Sequence, residues 1–240
     1  MLSNVGTLTR RELSVYFYSP IAYVVLTVFL LVSGIFFGTD GFAPGNPASL
    51  RVVFGSIMPL ILVFILPMLT MRLLSEEFSS GTIETLMTAP VTDVEVIVGK
   101  FLGAYLFYLI MLASTLLYAF LVAGFGPLDW GQAACTYFGL LLVGALYISV
   151  GLFFSACTRN QIVAVVCSFV VLAVFTFLAN YLAQSLQGWK RAVIQHLSIV
   201  AHFQDFSRGL VDVNHLIFFL SSAGVFLFLA VKVLESRRWR

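Results

Sequence analysis

Charged side chains are scarce in this chain, so the few places where they gather are the places to look for chemistry. Ten percent of the residues are charged and 60% are hydrophobic. The densest acidic group is Glu76, Glu77 and Glu84, in the run Glu76-Glu77-Phe78-Ser79-Ser80-Gly81-Thr82-Ile83-Glu84-Thr85-Leu86-Met87-Thr88-Ala89-Pro90-Val91. Carboxylates grouped this way suit contact with a basic partner surface. No serine, cysteine or carboxylate pair forms a convincing catalytic group, so no catalytic residue is expected. His196, His202 and His215 share one segment but lack a ligand spacing such as H-E-x-x-H, and are read as solvated or structural histidines. Cys135, Cys157 and Cys167 fall in or beside apolar runs and are read as small buried hydrophobes. Neither a metal nor a cofactor is expected on this chain. It also lacks the G-x-x-x-x-G-K-[ST] phosphate loop, so it does not cradle a nucleotide by that device.

The elements that must position these groups are six apolar runs of near 20 residues: 21–38, 52–70, 101–123, 133–154, 162–183 and 216–234. At 1.5 Å of rise per residue, each matches a hydrocarbon layer of roughly 30 Å. A mean hydropathy of +1.03 excludes an ordinary water-soluble globule. Long unbroken runs favour helices over the alternating pattern of a barrel. The expected fold class is all-α: a polytopic membrane protein with six transmembrane helices in one domain, 21–234. A net charge of +2 gives no reason to expect a nucleic-acid partner. No charged residue lies well inside any run, which disfavours ion-coupled transport. Asn180, Thr176 and Ser168 are read as interhelical hydrogen-bonding groups.

The distribution of positive charge orients the bundle. Arg10, Arg11, Arg72, Lys100, Arg159, Lys232, Arg237, Arg238 and Arg240 fall on the side of both termini, while Arg51, Lys190, Arg191 and Arg208 fall on the other. Nine against four places both termini in the cytoplasm, including the tail at 235–240. The first run follows Arg10 and Arg11, yet it is long for a signal sequence and no A-x-A site follows it, so it is expected to stay as an anchor.

Ahead of it, Val5, Leu13, Tyr16 and Phe17 share one helical face and Ser19-Pro20 interrupts the helix. Residues 1–20 therefore read as a cytoplasmic interfacial elbow helix carrying Arg10, Arg11 and Glu12, or alternatively as a partly ordered leader. Pro59 and Pro67 should bend the second span. The joint at 71–100 is too structured for a linker. Residues 72–78 continue the second span, Ser79-Ser80-Gly81 breaks it, 82–89 form a short transverse helix that Pro90 ends, and Thr92 to Glu95 has capping-box spacing. The outer joints at 39–51 and 124–132 are too short for a domain. The outer segment at 184–215 has apolar residues at helical spacing, Trp189 included, and reads as an interfacial helical segment or as a loop packed on its own spans.

The 76–91 run resembles the E-x-x-x-G-T-[LI]-E-x-L-x-x-x-P-[VI] stretch of ABC type-2 transporter permeases. Two further segments resemble the gliding-motility branch of that superfamily: Arg10-Arg11-Glu12-Leu13 through Ser19-Pro20-Ile21-Ala22-Tyr23, and His202-Phe203-Gln204-Asp205-Phe206-Ser207-Arg208-Gly209-Leu210-Val211-Asp212. The resemblance implies a six-span half-transporter of the bacterial inner membrane that pairs with a second permease copy or paralogue and two cytosolic ABC ATPase subunits. ATP and Mg would be bound by those partners. It implies that the elbow helix and a coupling helix at about 81–90 contact the ATPase, with Glu76, Glu77, Gly81, Thr82, Ile83, Glu84, Leu86 and Pro90 as coupling residues.

The expected function is therefore the membrane subunit of an ATP-driven exporter embedded in lipid. Two alternatives stand beside it. One is a mechanotransducer that moves no solute and drives an auxiliary membrane protein with a periplasmic domain, docked on the outer segment at His202, Phe203, Phe206, Arg208 and Asp212. The other, from a different class, is a passive channel or a membrane enzyme.

Overall fold

The computed structural model describes residues 2–41, 53–83, 91–125, 129–185 and 188–238. Helix α1 (Leu2–Tyr18) ends where Ser19 turns extended, and Pro20 opens α2 (Pro20–Phe36) from the first turn, where its missing N–H costs nothing. The helix runs on as a wider π-type turn through Phe37–Gly41, so Thr39 and Asp40 extend the span rather than starting a loop. A second such turn, Val53–Ile57, leads into α3 (Met58–Thr70). After Met71, α4 (Arg72–Ser80) ends at Gly81, whose φ of +77° is left-handed and favours glycine. Then come α5 (Asp93–Ser114), α6 (Leu116–Phe125), α7 (Trp130–Cys157) and α8 (Gln161–Ala173). A π-type turn at Val174–Leu178 precedes α9 (Ala179–Ser185), α10 (Trp189–Leu197), α11 (Ile199–Ser207) and α12 (Val213–Arg238).

Among the described residues, six helical stretches are long and apolar enough to cross a membrane: Pro20–Thr39, Met58–Ser80, Asp93–Gly124, Trp130–Cys157, Gln161–Leu182 and Val213–Arg237. No strand occurs among the described residues. The chain is an all-α, multi-pass membrane protein. Each expected run appears, lengthened where polar residues prolong a helix beyond its apolar stretch. Three local expectations need correction. Pro59 lies in the first turn of α3 and does not bend it; only Pro67 sits in the helix interior, one turn before the break at Met71. The third span is interrupted at Thr115, whose hydroxyl donates to the Leu112 carbonyl at 2.6 Å and competes with the helical pattern. On α1, Phe17 is 42% exposed and Glu12 is buried, so the packed face is Leu8, Glu12, Leu13 and Tyr16.

The second and fourth spans are the most buried, and the fourth is the hub. Three of its glycines leave seats for neighbours. A Cβ on Gly139 would press on Phe206 of α11, one on Gly144 would overlap the Tyr108 ring of α5, and one on Gly151 would overlap Thr70 of α3. Where lipid offers no hydrophobic drive between helices, such close approach is a main source of cohesion. Tyr108 occupies its seat fully buried and donates to the Leu140 carbonyl at 2.7 Å.

Candidate functional site

A cluster of polar groups converges at the end that carries both termini, around the break between α3 and α4. A helix that restarts at Arg72 exposes the first N–H groups of its new turn. Ser155, from the end of the fourth span, answers them: its Oγ accepts from Leu74 N–H at 3.0 Å and Ser75 N–H at 3.1 Å, and donates to the Met71 carbonyl at 2.9 Å. One buried hydroxyl thereby caps α4 from another helix. On the opposite side, Tyr16 of α1 donates to the Leu69 carbonyl at 3.1 Å. Burial, and then the nearby Glu12 charge, pushes the Tyr16 phenol above its ordinary range and keeps this donor protonated.

Arg72 grips Glu76 through two hydrogen bonds, at 2.7 and 3.0 Å, and reaches Ser19 Oγ at 2.8 Å. The elbow joint at Ser19-Pro20 is thus tied to the start of α4. Deeper, the Lys100 ammonium of α5 donates to Glu12 of α1 at 2.9 Å and to Glu77 of α4 at 2.8 Å. The side chains of Lys100, Glu12 and Glu77 are 3%, 11% and 15% exposed, so this is a buried triad with two acids for one base. Glu77 Oε2 has no hydrogen-bond partner. Helix α1 comes close enough because α5 carries Gly99 and Gly103: an added Cβ would lie 2.7 Å from Leu8 Cβ and 2.6 Å from Glu12 Cβ. That small-xxx-small pair is the seat of the elbow helix.

Helix α5 starts with a capping box. Thr92 Oγ1 accepts from Glu95 N–H at 3.3 Å while the Glu95 carboxylate accepts from Thr92 N–H at 2.9 Å. At the chain's far terminus, Arg237 of α12 donates to the Cys157 carbonyl at the end of α7 and lies 4.3 Å over the Phe78 ring of α4. The ends of α1, α4, α5, α7 and α12 are therefore fastened to one another around the end of α4 at Gly81.

The sequence-derived site residues separate into groups. Glu76 is half-exposed and held by Arg72, whereas Glu77 is consumed by the buried triad and is not a free surface carboxylate. Gly81 and Thr82 are exposed and Ile83 is buried. Glu84, Leu86 and Pro90, with most of the expected transverse helix, lie outside the described residues. Arg10 and Arg11 are exposed, but Glu12 is buried against Lys100. Lys100, Arg72, Ser155 and Tyr16 were not expected as site residues. The Glu12–Lys100 spacing of 88 residues carries no local signal, though Lys100 one residue after Gly99 was the available hint.

At the opposite end, the outer segment forms α10 and α11. Helix α11 packs on the fourth span with Phe203 and Phe206 fully buried, and His202 is 6% exposed. These three belong to the chain's own core and offer no docking surface, because the glycine seat at Gly139 draws α11 inward. Arg208 and Asp212 remain exposed. The Trp189 side chain lies outside the described ones. His202, His215 and Asp205 are linked: His202 Nδ1 lies 2.6 Å from His215 Nδ1, and His215 Nε2 lies 2.8 Å from Asp205 Oδ2. No group of three or more His, Cys, Asp or Glu among the described residues is arranged to hold a metal ion.

A family model described as ABC-2 family transporter protein matches residues 20–235. No curated protein matches the chain.

Proposed function

Because the chain belongs to the ABC-2 family of transporter proteins, a membrane component of ABC transporters, we propose that it is the permease subunit through which separate ATPase subunits drive export across a bacterial inner membrane. The observation that carries this reading is the Lys100 triad. It joins the elbow helix, the extension of the second span and the third span into one buried unit, and in sequence the 81–91 segment lies between two of those elements. A push on that segment would then move two spans and the elbow together, which is what a subunit needs in order to receive work from a separate ATPase. Glu84 and its neighbours would meet a basic groove on the ATPase, with ATP and Mg held by that partner. A second permease copy or paralogue would complete the translocation path.

The test is co-expression with the ATPase in liposomes. Glu84→Lys should leave assembly intact and abolish permease-stimulated ATP hydrolysis. Full stimulation by that variant would remove the coupling assignment.

A second reading is favoured by Leu210, Val211 and Val213, which are 60%, 54% and 64% exposed beside Arg208 and Asp212. This apolar strip could seat an auxiliary protein with a periplasmic domain, in keeping with the likeness to gliding-motility-type permeases, and the subunit would then transmit force. A stable outer-domain partner on copurification favours force transmission, whereas ATP-dependent flux in liposomes favours export.

A further inference from the structure

At the end of the bundle away from the termini, a line of hydrogen-bonding groups fastens α11 to the start of the last span. His202 Nε2 lies 2.9 Å from the His196 carbonyl oxygen. A carbonyl only accepts, so this nitrogen carries a hydrogen. His215 Nε2 lies 2.8 Å from Asp205 Oδ2, and Arg208 Nη1 pairs with Asp205 Oδ1 at 3.4 Å as a salt bridge. A carboxylate also only accepts, so His215 Nε2 carries a hydrogen too. A neutral imidazole has one hydrogen, and both rings have now placed it on Nε2. The two Nδ1 atoms would then face each other as bare lone pairs at 2.6 Å. Lone pairs at that distance repel, so something positive must lie between them.

We infer that His202 and His215 together bind a single proton, making a one-proton latch between α11 and the sixth span. The distance selects a proton over a metal ion. A zinc-like ion at about 2.0–2.1 Å from each nitrogen in tetrahedral geometry would hold the nitrogens roughly 3.3 Å apart, and 2.6 Å is instead a short N–H···N contact. The imidazolium is His215, which donates from both nitrogens and sits against the Asp205 carboxylate. His202 stays neutral: it stacks on Phe218 with centroids 4.1 Å apart, and burial pushes its pKa below the ordinary histidine value, opposed by the His196 carbonyl and Asp205.

Among the described residues the charged surroundings are few. Helix α11 contributes Asp205 and Arg208, α10 contributes His196 with Lys190 and Arg191 at its start, and Asp212 caps α12 through the Asn214 N–H at 2.9 Å. Among the described residues, the other main elements packed on α11, namely α7, α9 and the two π-type turns at Val53–Ile57 and Val174–Leu178, carry no Asp, Glu, Lys, Arg or His, and Asp129 caps α7, whose Gln132 donates to the Ser207 carbonyl at 2.7 Å. A pocket lined by Gln195, His196, Ala201, His202, Asp205 and His215 opens onto the pair and gives water access to it.

The latch fails in both directions. A second proton sets N–H against N–H, and removal of the shared proton restores the facing lone pairs. Since the folded state lowers the His202 pKa, the neutral ring it requires is secure above about pH 6.5 and is lost as pH falls through the lowered value.

The experiment is 15N NMR of the full chain in nanodiscs with labelled histidine, paired with hydrogen exchange of 199–207 corrected for intrinsic pH dependence. Near neutral pH, one ring should be protonated on both nitrogens and its partner on Nε2 alone, and protection should fall several-fold on acidification and on raising the pH. A His202→Gln/His215→Gln variant should flatten that pH profile. Two neutral rings near neutral pH, a pH-independent wild-type profile, or stoichiometric Zn2+ shifting both Nδ1 resonances would each overturn the latch.

Discussion

Lys100 is the residue on which the termini-side architecture depends most. An ammonium taken out of water carries a desolvation cost of several kcal/mol, which its two carboxylate partners repay here. Removing the cation is far worse than never having built the triad, because Glu12 and Glu77 are then left buried and facing one another. Lys100→Met should therefore destabilise the fold by about 3–5 kcal/mol, seen as a lowered thermal midpoint in detergent. Glu77→Gln should cost less, since the Glu12–Lys100 pair survives and one surplus negative charge disappears. If both variants melted like the parent, the triad would be a surface pair in all but appearance. Ser155 makes a similar case with neutral groups. Ser155→Ala strands buried N–H groups at the restart of α4 and should cost about 1–3 kcal/mol, while Ser155→Thr keeps the hydroxyl and should recover part of the loss.

At the scale of elements, the elbow helix is held by shape before it is held by charge. Gly99 and Gly103 let α1 lie directly on α5, with Leu8 and Glu12 in the gaps. Overfilling such a contact costs about 1–3 kcal/mol, and that penalty falls on the docking of one helix rather than on the bundle. Gly103→Val should therefore speed amide exchange along α1 while leaving the fourth span as protected as before. Equal loss of protection in both would mean that the elbow is integral to the core. This is also the scale at which sequence and structure part company. The apolar runs, the Ser19-Pro20 interruption, the left-handed stop at Gly81 and the Thr92–Glu95 capping box were legible because each is a local pattern. The break at Thr115 was not, since it depends on one hydroxyl choosing a nearby carbonyl. Nor was the inward turn of α11: Phe203 and Phe206 on a helix beside Arg208 fit an exposed interfacial face as well as a buried one, and only Gly139, some 65 residues earlier, decides between them. The triad was hidden for the same reason, because its partners come from three distant segments.

For the molecule as a whole, the positive charges and the packing lead to one arrangement that can be tested directly. The side holding both termini collects nine of the thirteen Lys and Arg residues, and it is also where α1, α4, α5, α7 and α12 are fastened together. If that end is cytoplasmic, the Lys100 triad and its neighbouring polar contacts face the compartment that supplies ATP, and the histidine pair faces the compartment whose acidity varies. A reversed bundle would put Thr82 and the segment that follows it out of reach of any cytosolic motor. The native Cys135, Cys157 and Cys167 would first be replaced, Cys157 being exposed at the termini side. Single cysteines at Thr7, Thr82 and Ser236, all exposed, should then resist a membrane-impermeant maleimide in osmotically permeabilised cells with an intact inner membrane, and react once that membrane is lysed. Cysteines at the exposed Arg208 and Asp212 should react before lysis. The opposite pattern would invert the topology and, with it, the proposal that ATPase subunits drive this chain through the second and third spans.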